Sequence, residues 1–155
     1  MTTSASSLFK ALVDTEVRAW NAIETALSAA GNALTLGRFL VLRTVRDTPA
    51  CRIQEVAVSQ GITLGAASRL VERLHRDGLL HRVPCEHDRR ATILTVTDRG
   101  MAHLEEASAL VRKEQERLFA PLSTSQRADL MQSLALIAEA GDPAWHNAPA
   151  TGGRA

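Results

Sequence analysis

The sequence predicts a mainly α-helical protein interrupted by one short β-hairpin, and three observations predict it. Apolar residues make up 45 % of the 155 residues, aromatic ones only 3 %, and Tyr is absent, a composition that suits helix packing better than a β-sandwich. Through most of the chain the apolar residues recur at three- and four-residue steps, which lines them along one face of a helix. Between residues 79 and 96 this period gives way to two β-like runs.

Residues 1–7, MTTSASS, are small and polar and are expected to be disordered. From Leu8, the residues Phe9, Leu12, Val13, Val17, Trp20, Ile23 and Leu27 form an apolar stripe on a helix that ends near Gly31. Thr35 precedes a second helix, "LGRFLVLRTVRD", with Phe39, Leu40, Leu42 and Val45 inward and Arg38, Arg43 and Arg46 mostly outward; Thr48-Pro49 stops it. A short third helix, "RIQEVAVSQG", closes at Gly61, and Thr63 can cap a fourth, "LGAASRLVERLHRDG", with Leu70, Val71 and Leu74 inward and Gly78 as its stop. Short helix, glycine turn and longer helix make a helix-turn-helix. "LLHRV" and "ATILTV" follow as strands around a polar loop, "PCEHDRR", so the motif becomes a winged helix. Thr97 caps a long helix to about Phe119, broken by Pro121, and Ser123 with Gln126 has capping-box spacing for a last helix. The tail from residue 141 to residue 155 is expected to be disordered.

Length allows one domain. A net charge of +1 gives no global signal for nucleic acid, but the basic residues are 16 Arg against 2 Lys, and arginine is the side chain that forks onto phosphates and guanine edges. Two cysteines without a CxxC, no leader-like N-terminus and no run near 18 apolar residues predict a soluble, cytoplasmic protein with no membrane partner and no structural disulfide. No triad, paired carboxylates or phosphate loop stands out, so the chain reads as no enzyme, and no cofactor is expected. In the wing, His81 and Cys85 stand four apart and share a strand face, His87 joins them only if the strand continues into the loop, and His75 is merely nearby, so no metal site is expected.

The order of elements, "RLVERLHRDGLLHR", and Asp88-x-Arg90 followed by Leu94-Thr95-Val96-Thr97 and Gly100 resemble the MarR family of dimeric winged-helix transcriptional regulators, over roughly residues 8–140. Two departures are Val96, where the family usually has Leu, and Ala66-Ala67-Ser68, where members carry more hydroxyls. The resemblance implies a homodimeric repressor on a palindromic operator in double-stranded DNA. Residues 8–31 and 98–140 would be dimerisation helices and residues 35–97 the DNA-binding lobe. Leu104, Ala107, Leu110 and Val111, with Leu130, Leu134 and Ile137, are then read as dimer stripes. It further implies a small, often aromatic anionic effector, for which Trp20, Phe39 and Arg43 offer a stacking surface and a cation.

A reading helix in the major groove would present Thr63, Ser68, Arg69 and Arg73, the two arginines being one turn apart. The wing would carry Arg90 into the minor groove, oriented by Asp88, with Arg89 on a phosphate. Two other readings remain: a winged helix used for protein contacts, and a thiol-based redox regulator in which Cys51, just ahead of the short helix, is the sensor.

Overall fold

Ser4 opens the first helix, its hydroxyl accepting from the Ser7 amide at 3.2 Å, so α1 (Ala5–Ala29) begins three residues before the expected start at Leu8. The computed structural model describes residues 4–85 and 88–141, with side chains for 4–84 and 92–141. After α1 come α2 (Leu36–Asp47), α3 (Ile53–Gln60), α4 (Leu64–Arg76), β1 (Leu80–Cys85), β2 (Asp88–Val96), α5 (Asp98–Phe119) and α6 (Thr124–Ala140). The expected caps are in place: Thr35 accepts from Arg38 N, Thr63 from Ala66 N, and Ser123 exchanges a capping box with Gln126. Gly61 and Gly78 take the left-handed conformation, φ +60° and +71°, that ends α3 and turns the chain into β1.

The chain divides into two units, Met1–Leu118 and Phe119–Ala155. The core of the first is built from Phe39, Val41, Leu42 and Val45 of α2, Val56 of α3, Ala67, Val71 and Leu74 of α4, and Leu79, Leu80 and Leu94 at the root of the wing. Only the second half of α1 joins it, through Ile23 and Leu27, and the Glu24 carboxylate accepts from Leu36 N at 3.0 Å, tying α1 to the start of α2. Leu8, Phe9, Val13 and Val17, in the first half, are exposed.

Leu104, Ala107 and Val111 of α5, expected on a dimer stripe, are buried in this core, with Leu110 packed against it. In the second unit, α6 has no buried residue, and Leu130, Leu134 and Ile137 are exposed.

The hairpin pairs antiparallel, Leu80 opposite Val96 and Arg82 opposite Leu94, with an irregularity between Pro84 and Cys85. Its strands reach further than "LLHRV" and "ATILTV": β1 runs to Cys85 and β2 starts at Asp88. Main-chain pairing in a solvated ribbon tolerates the charged side chains that make this segment look like a loop. Residues 86 and 87 and the tail beyond residue 141 lie outside the described residues.

Candidate nucleic-acid interface

The outward face of α4 follows from its inward one. Ala67, Val71 and Leu74 are buried, so Arg69 and Arg73 are turned to solvent on the other side, with Ser68 half-buried between the faces and Thr63 exposed at the cap. Among the described residues neither Arg69 nor Arg73 enters an ion pair, because the acid between them is engaged elsewhere. Glu72 pairs with Arg82 of β1 at 3.1 Å, not with a neighbour on its own helix. Arg82 lies in register opposite buried Leu94, on the ribbon face that turns to the core, and its guanidinium emerges beside α4. Sequence reasoning missed this strut; its one signal was the alternation that puts Leu80 and Arg82 on the same strand face.

The root of the wing is bolted to the helix-turn-helix at several points. Leu94 N donates to the carbonyl of Cys51, just ahead of α3, at 2.8 Å. Thr97 N donates to Leu79 O at 3.1 Å, and the Thr97 hydroxyl donates to Gly78 O at 2.8 Å while accepting from Gly100 N at 2.9 Å. Thr97 is thus the expected cap of α5 and also a clamp on the start of β1. Gly100 is buried at this joint, and a Cβ there would stand 2.2 Å from Leu79 O. Asp77, at the end of α4, binds Arg38 of α2, which holds the far end of α4.

Asp88, Arg89 and Arg90 belong to the backbone of β2 and not to a loop; their side chains lie outside those described. Of the effector residues, Phe39 is buried with the Arg43 guanidinium over its ring, 5.4 Å from the centroid. Arg43 lines a recess of about 580 Å³ with Thr44, Asp47, Gln54, Glu55 and Ser59. Trp20 lines a different one, with Glu16, Val17 and Asn21, so the three expected residues are not brought into one recess.

Cys51 is fully buried, and burial, with Glu55 adding to it, pushes its thiol up to about 11. A neutral, enclosed thiol is a poor nucleophile, which removes the ground for reading Cys51 as a redox sensor. No helix among the described residues is long and apolar enough to cross a membrane.

A profile of the MarR family matches residues 34–92, from just before α2 into β2. A Mycobacterium tuberculosis protein named HTH-type transcriptional repressor Rv2887 is 30 % identical over 112 residues, 72 % of this chain and 79 % of that protein. The chain belongs to the MarR family. It is accordingly a DNA-binding winged-helix transcriptional regulator, and the mainly helical architecture expected from the sequence is that of the MarR fold. The structure of the transcriptional repressor CouR bound to a 23-mer DNA duplex is 29 % identical, covers 89 % of this chain and 99 % of that one, and superposes with a TM-score of 0.75. The MarR family protein Rv2887 in complex with salicylic acid gives 26 %, 88 % and 97 %, with a TM-score of 0.65.

Proposed function

We propose that the chain acts in the cytoplasm as a homodimeric repressor that binds a palindromic operator in double-stranded DNA and is released by a small aromatic acid. The observation that carries the reading is the pair Arg69 and Arg73: two exposed cations one turn apart, on a helix whose opposite face is core. A helix so mounted enters the major groove, where arginine forks reach guanine edges and flanking phosphates, with Thr63 and Ser68 adding shorter contacts. The wing carries Asp88, Arg89 and Arg90 towards the adjacent minor groove, Arg90 as the inserted cation, Arg89 on a phosphate and Asp88 orienting the fork.

One reading helix and one wing cover a half-site, so specific affinity calls for two copies about one helical turn apart. The exposed apolar residues of α6, and separately those of the first half of α1, supply the surface for self-association. CouR on its duplex and the naming of Rv2887 as a repressor support the DNA reading. Rv2887 with salicylic acid supports the effector class; of Trp20, Phe39 and Arg43, the buried Phe39 and the separate recess of Trp20 leave Arg43 as the cation that would meet a carboxylate. A ligand releases DNA only if it binds better to a spacing of the two reading heads that mismatches the operator.

The test is a random-duplex selection with the purified protein, followed by anisotropy titrations at several salt concentrations. A palindromic winner is expected, with affinity falling steeply with salt. Arg69→Ala, Arg73→Ala or Arg90→Ala should weaken it by roughly fivefold to a hundredfold, whereas Arg89→Ala should mainly lower the salt slope by about one. Failure of the wild-type protein to prefer any duplex would overturn the reading and favour a winged helix that contacts protein.

A further inference from the structure

Gly65 works against the helix that holds it. It is the second residue of α4, after the Thr63 cap and Leu64, and glycine weakens a helix because it surrenders more backbone freedom than any other residue. Nothing in the fold calls for it there. Gly61 and Gly78 have positive φ, but Gly65 has not, and where a Cβ on Gly100 would strike Leu79 O, a Cβ on Gly65 meets nothing within 4 Å among the described residues. Alanine would fit without rearrangement and would strengthen the first turn. Gly65 also stands one turn ahead of Arg69 and two ahead of Arg73, at the head of the outward row and opposite buried Ala67, Val71 and Leu74.

We infer that Gly65 is the close-approach point of α4, the place where the missing side chain lets the first turn settle against the duplex so that Arg69 and Arg73 reach base edges. This rests on the DNA reading proposed above. A Cβ adds about 1.5 Å of standoff, and direct hydrogen bonds hold only over donor–acceptor distances of about 2.7–3.2 Å, so one methyl group at the head of the row separates contact from near-miss. The short neighbour Ala66 fits the same purpose: the leading turn offers backbone and little bulk, and reading is left to the arginines one and two turns on.

The experiment compares the full-length wild type with Gly65→Ala and Gly65→Leu, both good helix formers of increasing size, and with Gly37→Ala, a helical glycine of α2 whose Cβ position is equally open. Thermal melts are read beside titrations on the selected palindrome and on a scrambled duplex. Gly65→Ala should leave Tm unchanged or raise it by up to roughly 4 °C while weakening palindrome binding roughly fivefold or more. Gly65→Leu should weaken it further, the scrambled duplex should lose less, and Gly37→Ala should leave affinity as it was. Unchanged affinity in both Gly65 variants, a Tm lowered by Gly65→Ala, equal loss on both duplexes, or an equal loss in Gly37→Ala would each overturn the inference while the wild type's preference for the palindrome stands. If the wild type shows no such preference, the DNA reading itself falls.

Discussion

At position 100 a single methyl group would collide with the main chain, because Leu79 O lies where the Cβ would go. The same carbonyl accepts from Thr97 N, so it cannot retreat without opening the joint between β1, β2 and α5. Gly100→Ala should therefore destabilise the chain by about 3 kcal/mol, the upper part of the overpacking range, read as a lower urea midpoint. A midpoint equal to wild type would mean that the joint yields freely. Cys51 gives a second test at this scale. Its thiol is held protonated to about pH 11 in the folded chain, against an ordinary value near 9.0, so the folded state keeps a proton that the unfolded state gives up in that window. The contribution is whole below pH 9 and is lost as pH rises through 11, in total roughly 2–3 kcal/mol. Cys51→Ala should flatten the fall of stability between those limits, whatever it does to the midpoint at neutral pH. An unchanged slope would place the shift elsewhere.

Among the elements, the wing and α4 are joined by a pair that neither shows alone. Glu72 is 59 % and Arg82 30 % exposed, so the ion pair itself contributes little to stability, on the order of 1 kcal/mol or less. Its work is orientation: it fixes β1 against α4. Glu72→Arg or Arg82→Glu should each weaken operator binding several-fold with Tm nearly constant, and the double swap should recover most of the loss. Additive losses in the swap would deny the coupling.

What could be read in advance at this scale follows from range. Thr35, Thr63, Thr97 and Ser123 were legible as caps because a cap is decided within four residues. The strut was not, because it joins positions ten apart across a turn. The length of the wing was hidden as well, since strand pairing at Pro84–Cys85 and Asp88 is written in main-chain geometry and not in side-chain type. On α5 the pattern showed correctly that Leu104, Ala107 and Val111 need cover. A stripe does not say whether that cover is its own lobe or a second chain, and here it is the lobe.

On the scale of the whole molecule, α6 and the first half of α1 carry the longest runs of exposed apolar residues among those described, Leu130, Met131, Leu134, Leu136 and Ile137 on the one and Leu8, Phe9, Leu12, Val13 and Val17 on the other. Leu134 and Ile137 are 36 % and 54 % exposed, and burying such side chains fully is worth about 1.5–3 kcal/mol each. Leu134→Asp with Ile137→Asp should shift sedimentation from dimer to monomer and reduce operator affinity by more than tenfold, while the melting of the Met1–Leu118 unit, whose core contains neither residue, stays close to wild type. A variant that remains dimeric would move the self-association surface off α6.

The bond from Leu94 N to the Cys51 carbonyl has one more consequence. It fastens the finger to the chain just ahead of the helix pair, so tilting the finger tilts the rod beside it. On the proposed DNA reading, the lobe would act as a caliper with a locked jaw, gauging the distance between neighbouring furrows of the double helix. Sequences that narrow or widen that interval would be rejected even where every letter under the rod is correct.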